Sequence, residues 1–129
     1  MLSGALLALA LGGCASRAPD ATDPAARADR ITRAVYADDL DRTVADFDDA
    51  AKRQVTRSQL GDMSDRMHGL GDLRSLTQRS ADPDSGRYEY DAAFTGGALL
   101  VQLRIDPSGK IGAYRIAPET AAASARPTR

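Results

Sequence analysis

Two runs of alternating polar and apolar residues, 87–94 and 98–106, meet at Thr95, Gly96 and Gly97. They constrain the fold more than any other stretch. A period of two marks a strand with one buried face, and a Gly-Gly pair between such runs is hairpin chemistry. A two-residue loop at Gly96 and Gly97 pairs Thr95 with Ala98. Counting outward, Phe94 faces Leu99, Ala92 faces Val101, Tyr90 faces Leu103 and Tyr88 faces Ile105, all on one side. The opposite side pairs Glu89 with Arg104 and Arg87 with Asp106, each of opposite charge. Such a pair is worth only about 0.2–1 kcal/mol, but its agreement with the apolar face selects this register. A slip of one residue would set the aromatic side chains against Gln102 and Arg104.

Residues 73–79 read as a weaker strand, 82–86 as a turn and 110–117 as a fourth strand. The last hairpin has two readings. A type I turn over Asp106, Pro107 and Ser108, with Gly109 left-handed, sets Ile111 beside Ile105 and leaves Tyr114 and Ile116 on the outer face. A tight loop at Ser108 and Gly109 reverses this and turns Tyr114 and Ile116 inward.

The first half has helical spacing instead. Asp23 and Pro24 open a helix as N-cap and first helical residue, and Ala28, Ile31, Ala34 and Val35 share a face flanked by Arg27, Arg30 and Arg33. This helix should end near Asp38. A short second helix follows Asp39, with Leu40, Val44 and Phe47 on one side. A third starts at Thr56, whose spacing to Gln59 is a capping box; it buries Leu60, Met63 and Met67 and stops at Gly69 and Gly71. Helices followed by strands predict an α+β domain over residues 24–117, with N-terminal helices packed on a four-stranded antiparallel sheet. Residues 118–129 are rich in Ala, Ser, Thr and Arg and have the composition of a disordered tail.

Upstream, an apolar run from Ala5 to Leu11 has signal-peptide length and is too short to span a bilayer. It closes on Leu11, Gly12, Gly13 and Cys14, which resemble the lipobox of bacterial lipoproteins. Small residues admit the backbone to a peptidase cleft, and a thiol is the nucleophile that accepts the lipid. The resemblance implies a signal peptide over residues 1–13, lipidation of Cys14, and a lipidated tether over 14–23. One acyl chain anchors marginally, whereas two or three, palmitate among them, hold a protein firmly. Residues 1–4 lack the Lys or Arg usual at the start of a signal peptide. In a host with two membranes, the same resemblance, with Ala15 in place of Asp, implies sorting to the periplasmic face of the outer membrane.

A net charge of −1 over 129 residues argues against a nucleic-acid surface. No second apolar run approaches the ~18 residues a membrane span requires. Cys14 is the only cysteine, so no internal disulfide framework is available.

Candidate chemistry is sparse. His68 is the only histidine, so no two-histidine metal site can form; it lies at the edge of an apolar helical stripe, where a boundary role outweighs general-base work with Asp65 or Asp72. Asp38, Asp39, Asp41, Asp46, Asp48 and Asp49 are better explained as caps and solvated first-turn acids than as cation ligands. Asp82, Asp84 and Gly86 superficially match a calcium loop, but the twelfth position is Ala93 rather than Glu. No cofactor or metal is implied. Tyr88, Tyr90, Phe94 and Tyr114 could line a ligand pocket between sheet and helices, although aromatic residues at strand spacing more often fill a core. An enzyme would want a carboxylate beside them, and the alternation sends Glu89 and Asp91 to the other face.

Three passages carry a second resemblance. Phe47 to Lys52 followed by Thr56 and Leu60, Leu70 to Leu76, and Ser108 to Gly112 with Ile116 and Pro118 resemble a family of bacterial domains of unknown function with a nuclear-transport-factor-2-like (cystatin-like) fold. The resemblance implies an antiparallel sheet curled around helices into a cone, sometimes enclosing a pocket. Its relatives include ketosteroid isomerases, polyketide cyclases, dimerisation modules and domains attached to envelope hydrolases, so the fold does not select a function. The expectation is a non-catalytic envelope lipoprotein that contacts the membrane through Cys14 and binds a small ligand or an envelope protein, with homodimerisation open. The alternative is a small isomerase or hydrolase-accessory enzyme using the tyrosine-lined pocket.

Overall fold

Asp23 caps the first helix in the computed structural model, which describes residues 23–119. The leader, Cys14 and most of the tether lie outside the described residues. The Asp23 carboxylate accepts the Ala26 N–H at 3.4 Å, and Pro24 occupies the first position, where a missing N–H costs nothing. Helix α1 (Pro24–Tyr36) buries Ala28, Ile31 and Val35. Helix α2 (Leu40–Val44) is capped by Asp39, α3 (Asp49–Gln54) by Asp48, and α4 (Arg57–Gly69) by Thr56. The Thr56 box closes both ways: the Gln59 N–H donates to Thr56 Oγ1 and the Thr56 N–H to Gln59 Oε1, each at 3.2 Å. Leu60 and Met67 are buried on α4 and Met63 is half-buried.

The spacing of Leu40, Val44 and Phe47 predicts one helix through Phe47, but α2 ends at Val44. Phe47 instead forms a parallel bridge with Ile111, and an unforeseen helix, α3, follows it. The Asp48 carboxylate starts α3 by accepting the Ala51 N–H at 2.7 Å.

The sheet is antiparallel and open, with β1 (Leu73–Asp82), β2 (Arg87–Phe94), β3 (Gly97–Ile105) and β4 (Ile111–Pro118) side by side in chain order. The N-terminal helices pack on it, giving the α+β architecture read from the sequence. Strand β1 runs three residues beyond its expected end and carries two irregularities, at Leu73/Ser75 and Gln78/Ser80. Tyr90, Ile31, Met67, Ile111 and Val101 are the largest fully buried apolar side chains of the core between helices and sheet.

The central hairpin differs from expectation by two residues. Thr95 and Gly96 form the loop, so Phe94 lies opposite Gly97, Tyr90 opposite Val101, and Tyr88 opposite Leu103. The cause is contact with the α4–β1 junction. The Thr95 N–H donates to the Asp72 carbonyl at 3.0 Å, the Asp72 N–H to Thr95 Oγ1 at 3.0 Å, and the Gly96 N–H to the Leu70 carbonyl at 2.7 Å. Gly96 is required for space: a Cβ there would sit 2.9 Å from the Leu70 carbonyl oxygen. A shift of two residues keeps every side chain on its face. It changes the partners, however. Glu89 meets Gln102, which donates to it at 3.0 Å, and Arg87 lies opposite Arg104 rather than Asp106.

The last hairpin combines both readings. Ile111 lies opposite Ile105, yet Tyr114 lies opposite Leu103 and Ile116 opposite Val101. An irregularity between Arg104 and Ile105 leaves Gly112 unpaired, and this extra residue restores the inward face for Tyr114 and Ile116.

Candidate functional site

The inner face of the sheet is covered unevenly. Helix α1 packs on β1 and β3, whereas the main cover of β4 is the six-residue α3, with α1 reaching β4 through the Thr32–Tyr114 hydrogen bond. A helix that short cannot cover an eight-residue strand, and a cleft of about 430 Å³ remains between α3, α4 and β4. Val35, Phe47, Val55, Leu60, Met63 and Ile116 supply apolar walls. The β4 backbone over residues 112–116 forms the opposite rim, and Thr43, Gln54, Gln59 and Arg115 are the polar contributors apart from Tyr114. No Asp, Glu or His borders it.

Of the four aromatic residues singled out from the sequence, Tyr114 borders this cleft. Its ring centroid lies 6.3 Å from that of Phe47, and its hydroxyl shares a 2.7 Å hydrogen bond with Thr32 Oγ1. Burial pushes the phenol above its ordinary range, while the Thr32 bond pulls the other way. Tyr90 and Phe94 sit in the core instead, Phe94 with its ring 6.4 Å from Tyr36, and Tyr88 is half-buried against that core. The Tyr90 hydroxyl is buried without a hydrogen-bond partner. Burial raises its pKa to about 12, with Asp23 and Tyr88 adding to the shift. The tyrosines therefore do not converge on the cleft.

His68 closes the end of α4 on the end of α1. Its Nε2 lies 2.8 Å from the Tyr36 carbonyl oxygen and its ring centroid 3.9 Å from that of Tyr36, while the Ser64 hydroxyl donates to the same carbonyl at 2.9 Å. The acids near α2 cap and pair: Asp39 and Asp48 are N-caps, Asp46 pairs with Arg30, and Asp38 lies 3.8 Å from Arg57. Among the described residues no cluster of three His, Cys, Asp or Glu could hold a metal ion, and no helix is long and apolar enough to cross a membrane. The Asp82 carboxyl is held below its usual range by hydrogen bonds from the Ser85 hydroxyl and N–H.

Glu89 and Asp91 face away from the helices. Glu89 accepts from Ser80 and Gln102, and Asp91 pairs with Arg79 at 2.8 Å; Arg79 also holds Glu119 at 3.1 Å. Cleft residues missed from the sequence include Thr43, Gln54, Val55 and Arg115, none of which stands in a distinctive pattern. Gln59 was visible only as half of a capping box. In comparison with known proteins, no family model, no curated protein and no solved structure matches this chain.

Proposed function

We propose that this chain is an envelope lipoprotein, anchored through lipid on Cys14 at the periplasmic face of the outer membrane. Its folded part is a nuclear-transport-factor-2-like (cystatin-like) module that binds a small ligand without transforming it. The observation that carries the binding reading is the cleft of about 430 Å³ beneath β4, apolar in its walls and free of any bordering acid or imidazole. That volume lies within the range of roughly 300–1,000 Å³ typical of small-molecule sites. Acid–base catalysis needs a proton-transferring group within hydrogen-bond reach of the ligand, and the one phenol that borders the cleft, Tyr114, has its hydroxyl engaged with Thr32. The nearest strand carboxylates, Glu89 and Asp91, are engaged on the opposite face of the sheet. The anchoring reading rests on Leu11, Gly12, Gly13 and Cys14 at the end of an apolar run.

Metabolic labelling with palmitate tests the anchor: the wild type should incorporate label and Cys14→Ala should not, and equal labelling removes the assignment. The ligand is tested by extracting the purified full chain and weighing what is released. A small molecule should accompany the wild type and be lost from Ile116→Trp, which fills the cleft. Identical extracts from both would refute the binding reading.

A further inference from the structure

We infer that the cleft takes a short extended peptide, paired along the open edge of β4, with apolar residues flanking an acidic one. This rests on the reading of the cleft as a ligand site and names the ligand's class. Successive strand side chains point to opposite faces, yet residues 112–116 all border the cleft, so it runs along the edge of β4 itself. A peptide laid there adds a strand to the sheet, which is how exposed edges capture polypeptide.

Three observations select that occupant. The first is the edge. The Ile105 N–H donates to the Gly86 carbonyl on the β2 side, so by alternation Leu103 and Val101 also turn their backbone groups toward β2. Arg104, Gln102 and Leu100 turn theirs toward β4, where they engage Ala113, Arg115 and Ala117. Tyr114 and Ile116 are left with N–H and C=O directed outward, and none of these groups bonds to anything among the described residues. Pro118, next in that alternation, has no N–H to leave unpaired. A donor and an acceptor recurring about every 6.8 Å match another strand and not an acyl chain. The start of this edge is already used in that way: Phe47 bridges Ile111, which donates to the Asp46 carbonyl and accepts from the Asp48 N–H, each at 2.9 Å. The chain then turns away into α3.

The second observation is the inner face. Tyr114 and Ile116 lie opposite Leu103 and Val101 and point inward. Peptide side chains level with them enter the space walled by Phe47, Val55, Leu60 and Met63, which selects apolar residues at alternate positions. The third is the outer face. Arg115, opposite Gln102, projects from the side of the sheet away from the cleft. It is exposed and has no ion-pair partner among the described residues, and Gln102 beside it is bonded to Glu89. The peptide residue level with Arg115 emerges on that same outer face, where a carboxylate completes a cross-strand ion pair. The two faces together read apolar, acid, apolar.

The test uses the full chain in neutral lipid nanodiscs, titrated with the acetylated and amidated peptide Thr-Ile-Glu-Ile-Thr. Its controls carry Gln in place of Glu, or N-methyl groups on the central Ile-Glu-Ile. Binding is read from the Tyr114 and Ile116 backbone amides in nitrogen-15 spectra, whose protons should move downfield and exchange more slowly with solvent. Loss of the backbone bonds should weaken the methylated peptide about tenfold or more. An exposed charge contact warrants about a fivefold tighter Kd for the Glu peptide than for the Gln peptide, shrinking as salt is added. Arg115→Gln should erase that preference while leaving the Gln peptide's affinity unchanged. Filling the cleft with Ile116→Trp, or with Met63→Trp should the first variant fail to fold, should abolish binding of both, read at Tyr114. A methylated peptide that binds as tightly overturns the strand pairing and leaves the cleft reading standing. Equal affinities for the Glu and Gln peptides, or equal weakening of both by Arg115→Gln, overturn the ion pair and with it the inferred ligand. If no peptide moves the two amides, the inference falls. The cleft reading then stands if Ile116→Trp still loses a small molecule from its extract, and falls as well if the extracts are identical.

Discussion

The two sides of the domain use the same inner sheet face differently. Beneath β1 to β3, α1 and α4 close the gap, and Ile31, Met67, Tyr90 and Val101 are each at most 1% exposed. Beneath β4 the main cover is α3, and Met63, Tyr114 and Ile116 remain half-buried around open space. What differs is the length of helix laid over each strand, so the closed side supplies stability and the open side supplies room.

The largest test of that contrast compares two methionines one helical turn apart on α4. Met67→Ala empties fully packed volume and should cost about 2–5 kcal/mol by urea denaturation. Met63→Ala only widens a cleft already open to water and should cost under about 1 kcal/mol. Equal losses would mean that the two sides are packed alike. A smaller effect separates two tyrosines. Tyr114→Phe orphans the buried Thr32 hydroxyl and should cost about 1–2 kcal/mol, whereas Tyr90→Phe removes a hydroxyl that has no partner and should be neutral or slightly stabilising. Reversal of that order would place the satisfied hydroxyl on the wrong residue.

The smallest effect is at alkaline pH. Both phenols are harder to ionise in the folded chain than in the unfolded one, whose tyrosines ionise near 10.0. Their contribution is therefore complete below that pH and is lost as pH climbs, for Tyr90 through about 12. Unfolding midpoints should fall across that window, and Tyr90→Phe should flatten part of the decline. An unchanged slope would show that Tyr90 is wetter than its burial implies.

Local chemistry was legible in advance. The caps at Asp23 and Thr56 depend on atoms three residues away, and the inward face of β2 and β3 follows from alternation alone. The α+β order came through for the same reason. The candidate site was far less visible. Tyr114 was identified, but the helical wall of the cleft comes from residues such as Val55 and Gln59 whose neighbours in sequence carry no distinguishing pattern.

By itself, the sequence determined where α1, α2 and α4 begin, which positions of β2 and β3 turn inward and which side of the sheet carries Glu89 and Asp91. Those outcomes need only contacts within a few residues or a period of two, so distant parts of the chain have no say in them. Tertiary structure decided the two-residue shift of the central hairpin, the bulge at Gly112 and the unfilled space beneath β4. Each depends on a meeting between remote segments: Leu70 and Asp72 with the loop at Thr95 and Gly96, Asp46 and Asp48 with Ile111, and a six-residue α3 set over an eight-residue β4. A backbone hydrogen bond from a distant element can reset a register that neighbouring side chains leave nearly balanced, because cross-strand pairs differ by only a few tenths of a kcal/mol, roughly.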